Sequence, residues 1–183
     1  MPRRMIVVVL LATTLLMSLL VSPTEAAVPS KSRWLADTRA AMSGSLAYVD
    51  RRVARGGSRL AANLDIDNTA LATYYARGTA TPAVLRFGRY AASKHVRLLF
   101  NTGRRQSTLA SAVRNLRRVG YPVTEICGRR AGESLSHSKQ RCRRHFVAEG
   151  YTIIANVGNR STDFVGGNYE RAFRLPNYDN QLG

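Results

Sequence analysis

Carboxylates are scarce in this chain. Only 11 of its 183 residues are Asp or Glu, against 28 Lys and Arg, which leaves a formal net charge of +17 and a pI near 11.2. Lysine is scarcer still, at positions 31, 94 and 139 only, so nearly all of the positive charge is arginine. Such an excess predicts attraction to anions: nucleic acid, phosphorylated polymers, acidic membranes or cell walls. The blander reading, compositional drift toward arginine and alanine, weighs more than a polyanionic partner. The basic residues fall in short clusters (Arg51-Arg52, Arg104-Arg105, Arg117-Arg118, Arg141 to Arg144) with no aromatic interleaving of the RNA-recognition kind. Two cysteines and three scattered histidines do not make a zinc pattern. His95, His137 and His145 read as structural or surface residues. No internal repeat stands out, and the one Ser/Pro-containing stretch lies near residues 28–32. With 45% hydrophobic and 21% charged residues, the chain suits one globular domain plus a leader.

The leader is residues 1–26. Arg3 and Arg4 precede an apolar run, Met5 to Val21, and Thr24-Glu25-Ala26 offers small residues at positions −3 and −1 of a cleavage site. Cleavage would start the mature chain at Ala27 and send it out of the cell. An uncleaved anchor is the competing reading, because the run approaches the roughly 18 residues of a spanning helix. After cleavage no stable membrane span is expected. Cys127 and Cys142 either pair, contributing roughly 3 kcal/mol in the chain-entropy model, or stand as two separate buried thiols. Export favours pairing.

Helical spacing of Leu35, Met42, Leu46, Val49 and Val53 predicts one helix over residues 31–55, stopped by Gly56-Gly57. It forms an N-terminal helical segment, 27–57, that packs on a core of residues 58–183. Short apolar runs predict strands at 60–64, 96–100, 123–127 and 152–157, with a short fifth at 172–175. Helices are predicted at 81–93, 105–119 and 138–149. This alternation argues for an α/β fold with a mostly parallel sheet covered on both faces. Right-handed crossovers put every strand's C-terminal end on one edge, where ligands bind.

The residues at those strand ends carry the chemistry. Asp65 and Asp67 leave the first strand together, and paired carboxylates suit a hard cation such as Mg²⁺, a nucleophile and a proton donor. Asn101-Thr102-Gly103-Arg104 ends the second strand, and a hydroxyl and glycine at a helix start suit a phosphate. Lys139, near the start of the next helix, can neutralise the nucleophile and phosphoryl oxygens. Gly158-Asn159-Arg160-Ser161-Thr162-Asp163 supplies further oxygens for a metal. Each segment alone also reads as an ordinary loop or cap. Their order and common position do not.

Taken together, residues 58–180 resemble the haloacid-dehalogenase (HAD) superfamily, closest to the secreted acid phosphatases of its class B-like branch, subfamily IIIB. Leu64-Asp65-Ile66-Asp67-Asn68-Thr69-Ala70-Leu71 looks like the first motif. Leu98 to Arg104 looks like the second, Ser138-Lys139-Gln140-Arg141 the third, and Asn156-Val157-Gly158 through Asp163-Phe164 the fourth. Phe173-Arg174-Leu175-Pro176-Asn177 is similar to this branch's ending. The resemblance implies a Rossmann-like fold with a minimal cap. It implies that Asp65 attacks phosphorus, that Asp67 serves as acid and base, and that Thr102, Gly103 and Lys139 bind the phosphoryl group. It implies Mg²⁺ as cofactor, held by Asp65, Asp67 and the fourth motif through Asn159 and Asp163. Asn159 departs from the family, which usually has Asp there, so Mg²⁺ affinity should fall or Asp163 must compensate.

The segment between Asp67 and Thr102 leaves room only for a small flap around Tyr74, Tyr75 and Arg77, so an open site for bulky phosphomonoesters is expected. Arg77 and Arg104 are candidate outer contacts for the phosphate. Two other readings accompany the phosphatase. One is a non-enzymatic relative that binds phosphorylated ligands or polyanions, without a specific nucleic acid. The weaker one is a metal-dependent nuclease on the same fold.

Overall fold

A computed structural model describes residues 28–182, so the predicted leader lies outside the described residues. Five strands form one parallel sheet in the order β3-β2-β1-β4-β5: β1 (Leu60–Leu64), β2 (Arg97–Arg105), β3 (Glu125–Arg129), β4 (Thr152–Gly158) and β5 (Arg171–Arg174). Every residue of β1 is buried, as its unbroken small and apolar run requires of a central parallel strand.

The two faces are covered by different helices. On one, Ala62 and Leu64 of β1, Leu98 and Phe100 of β2 and Val157 of β4 pack with α2 (Ser45–Ala54), α3 (Pro82–Ser93) and α4 (Leu109–Arg118) through Val49, Phe87 and Leu116. On the other, Ala61, Leu99, Cys127 and Ile153 pack with Cys142 and Phe146 of α5 (Leu135–Ala148). Neighbouring strand residues point to opposite faces, so one strand feeds both clusters. A disulfide joins Cys127 of β3 to Cys142 of α5 and fastens that helix to the sheet.

The single helix expected over 31–55 is two helices, α1 (Lys31–Ala41) and α2. Gly44 between them has φ of 70°, a left-handed conformation that glycine adopts without strain. The hydrophobic spacing survives the break, which hid it. Trp34 of α1 is fully buried and stacks on Tyr75 at 4.9 Å, so this segment is built onto the loop that follows β1.

The second correction touches the site. β2 does not stop at Phe100 but runs to Arg105, shifting register between Asn101 and Arg105 before Arg105 pairs with Arg129. A short 3₁₀ turn, Gln106–Thr108, then precedes α4. Thr102 and Gly103 are therefore strand residues and not the start of a helix. Likewise α5 begins at Leu135, with the Ser134 hydroxyl accepting from the His137 N–H at 3.2 Å, so Lys139 sits in its second turn.

Candidate active site

β1 delivers Asp65 to the sheet edge, and the Asp65 N–H donates to the Val157 carbonyl of β4 at 2.9 Å. The side chain is buried and meets the ammonium of Lys139. Lys139 reaches it from α5, which covers one face of the sheet. A reciprocal pair of bonds to Asn101 of β2 holds it there: Lys139 Nζ donates to the Asn101 carbonyl at 2.7 Å, and Asn101 Nδ2 donates to the Lys139 carbonyl at 2.8 Å. Lys139 also pairs with Asp163 Oδ1 at 2.6 Å. One buried cation thus stands between two buried carboxylates.

Burial raises the Asp65 carboxyl to about 7; Lys139 opposes that rise, and the like charges of Asp163 and Asp67 add to it. Burial alone would lower the Lys139 ammonium, but Asp163 and Asp65 outweigh it and hold it above its ordinary value.

Asp67 is held differently. The Arg104 guanidinium grips it bidentately at 2.9 and 2.7 Å, and the Thr73 hydroxyl donates to it at 2.7 Å. Burial would raise its carboxyl, yet Arg104 and Thr73 bring it below the usual carboxylate range. The two acids, two residues apart, are therefore pushed in opposite directions, the pattern that assigns different protonic roles.

Asp65, Asp67, Gly103, Arg104 and Lys139 line one cavity of about 410 Å³. Thr102 and Asn159 are buried next to lining residues in sequence, at 0% and 7% exposure. The Thr102 hydroxyl accepts from the Arg104 N–H at 3.1 Å, which orders the bulged end of β2. Asn159 accepts from the Thr69 hydroxyl at 3.3 Å and donates to Asn177 at 3.0 Å. Asp163 has both oxygens engaged, one by Lys139 and the other by the Arg160 N–H at 2.9 Å. A Cβ at position 158 would land on this carboxylate, so only glycine lets Asp163 lie there. Arg77 is exposed, away from the cavity, whereas Arg104 is committed to Asp67.

Three positioning residues escaped the sequence reading. Asn63 of β1 donates to Asn156 of β4 at 2.5 Å inside the sheet, and Asn156 donates to the Asp163 carbonyl at 2.9 Å. Arg143 is fully buried, and its guanidinium donates to the carbonyls of Asp163 at 2.6 Å and Gly167 at 2.8 Å, and to Val165. The signal was present. Asparagines interrupt two otherwise apolar strands, and Arg143 lies four residues after Lys139, on the same face of α5.

Comparison with known proteins gives the family and the class of the fold. The family described as HAD superfamily, subfamily IIIB (acid phosphatase), matches residues 75–181, downstream of Asp65 and Asp67. The chain belongs to this family, and its class is that of phosphatase hydrolases. Among solved structures it is similar to the class C acid phosphatase from Bacillus anthracis, at 20% identity and a TM-score of 0.66 over 81% of this chain and 79% of that one. A second structure of that enzyme, with tungstate bound, gives 19% identity and a TM-score of 0.64 over the same shares. No curated protein matches the chain.

HAD phosphatases generally use a divalent metal ion. The donors at the ends of β1 and β4 suit one in kind: the Asp65 carboxylate, the Asp67 backbone carbonyl and the Asn159 amide oxygen are all hard oxygen ligands. They carry little charge, because Asp163 is committed to Lys139. Among the described residues no group of three or more His, Cys, Asp or Glu side chains is arranged to hold a metal. No helix of the described residues is long and apolar enough to cross a membrane.

Proposed function

We propose that this chain is an exported, magnesium-dependent phosphomonoesterase working through an aspartyl-phosphate on Asp65. The observation that carries the reading is the meeting of Asp65 and Asp67, from the end of the central strand, with Lys139, from a helix covering one face of the sheet, at one cavity. An Asp65 oxygen attacks phosphorus and the bond to the ester oxygen breaks. The leaving oxygen takes a proton from Asp67. Asp67 then accepts a proton from water as that water attacks phosphorus, which frees Asp65 and inorganic phosphate. Lys139 offsets the charge gathered on the phosphoryl oxygens.

Arg104 keeps Asp67 ionised before substrate arrives. An incoming phosphoryl group competes for that guanidinium. Once Arg104 turns to the phosphate, burial governs Asp67 and raises its affinity for the proton it must donate. Mg²⁺ held by Asp65, the Asp67 carbonyl and Asn159 would supply charge neutralisation at the phosphoryl group. The bound tungstate of the Bacillus anthracis structure is a tetrahedral oxyanion of the same shape as phosphate, consistent with a phosphate-shaped site. Export is supported by the Cys127–Cys142 disulfide, since such bonds persist in oxidising compartments.

The test is hydrolysis of a chromogenic phosphomonoester, with and without Mg²⁺, by wild type and Asp65→Asn. Mg²⁺-dependent turnover that falls at least about a thousandfold in the variant fits the reading. Equal turnover by both proteins overturns it.

Asn159 and the net charge of +17 favour a second reading, a relative that binds phosphorylated ligands or polyanions without turning them over. Folded protein with no turnover in excess Mg²⁺, and polyanion binding that weakens steeply with salt, would select it.

A further inference from the structure

The reaction centre leaves two cations unused. Six ionisable side chains line the cavity: Asp65, Asp67, Arg104, Lys139, Arg129 and Arg160. Arg104 is spent on Asp67, and Lys139 on Asp65 and Asp163. Arg129 and Arg160 have no carboxylate within ion-pair distance among the described residues. Both are half-buried. A guanidinium drawn partly out of water without a counter-charge is unfavourable, and a bound anion relieves that cost.

Their placement adds a direction. Arg129 ends β3, two strands from β1, whereas Arg160 follows β4, the strand next to β1 on the other side. With strands spaced about 4.8 Å apart, the two positions lie roughly 14 Å apart across the sheet edge, with Asp65 between them. The chemistry assigned to Asp65, Asp67 and Lys139 calls on neither arginine, so both remain for a second anion. Their fork-shaped heads suit phosphate or carboxylate oxygens bidentately.

We propose that the substrates of this site are phosphomonoesters whose leaving group carries a second anionic group, above all a second phosphate, which Arg129 or Arg160 receives while Asp65 attacks the first. The inference rests on the phosphomonoesterase reading and names its substrate class.

The test compares kcat/KM for a nucleoside 3′,5′-bisphosphate with that for the 5′-monophosphate of the same nucleoside, in wild type, Arg129→Gln, Arg160→Gln and the double variant. Wild type should prefer the bisphosphate by about tenfold, the worth of one charge-assisted contact. That ratio should fall toward one in the double variant and in at least one single variant. A wild-type ratio near one, or a ratio unchanged by the double variant, overturns the inference and leaves the phosphomonoesterase intact. Absence of turnover on both substrates instead counts against the phosphomonoesterase. Calorimetric affinities of Asp65→Asn protein for the same two nucleotides then decide the inference by themselves: tighter bisphosphate binding that Arg129→Gln/Arg160→Gln abolishes sustains it, and equal affinities overturn it.

Discussion

At the scale of the residue, the site is a set of buried charges arranged so that no carboxylate stands alone. Asp65 is the strained member. Its carboxyl, raised to about 7, is ionised at higher pH at a cost that the unfolded chain, with an ordinary carboxyl, does not bear. A raised folded-state value gives stability that is present at low pH and lost as pH rises through 7. Asp65→Asn removes that charge while Asp163 remains to pair Lys139. The variant should therefore melt no lower than wild type at pH 8, with its relative stability declining as pH drops toward 5; a marked loss at pH 8 would mean that Asp65 is a structural anchor. Asn159 is the residue that most limits the metal. Asn159→Asp adds a charged oxygen donor beside the end of β1. It should tighten Mg²⁺ binding about tenfold or more, read as the Mg²⁺ concentration for half-maximal turnover or as a calorimetric dissociation constant. Unchanged Mg²⁺ affinity would show that position 159 does not touch the ion.

At the scale of the element, the sheet edge does the assembling. Each catalytic candidate stands within a few residues of a strand end or in the helix packed against it. The strands themselves were legible, because short apolar runs between helical stretches admit few other arrangements. The details at the edge were not. β2 extends through Thr102 and Gly103 because pairing with β3 resumes at Arg105, a register effect invisible in a one-strand reading. The role of Arg104 depends on Asp67, 37 residues earlier in the chain. Arg143 looked like one more member of a basic cluster until its burial showed that it holds the carbonyls of residues 163–167.

The Cys127–Cys142 bond is the element-scale feature with the clearest energetic consequence. It closes a loop of 15 residues and ties α5, the helix that carries Lys139, to β3. Reduction should lower the stability by about 3 kcal/mol. Denaturant melts with and without reductant measure this, and coincident curves would contradict it.

At the scale of the whole molecule, the fold converts a scattered sequence pattern into a local one. Four segments spread over some 100 residues converge because parallel strands with right-handed crossovers share one edge. That convergence was readable in advance, and so was the place of Asp65 within it. The net charge of +17 has less to do with folding than with which molecules approach, and it surrounds the few acids with an arginine-rich surface. Lys139 was read as the partner of the nucleophile; what could not be read was that Arg104 grips Asp67 and that Lys139 is shared with Asp163, since such ion pairs depend on contacts between distant segments.

The central claim is that Asp65 becomes phosphorylated, and acid quenching tests it most directly. Wild-type protein mixed with a phosphomonoester labelled in its phosphate, in Mg²⁺, is denatured in acid within the first turnover and digested. The account predicts label on the peptide containing Asp65, released by hydroxylamine as an acyl phosphate is, and none in Asp65→Asn. Label on another peptide, or turnover with no labelled protein at any time, would contradict it.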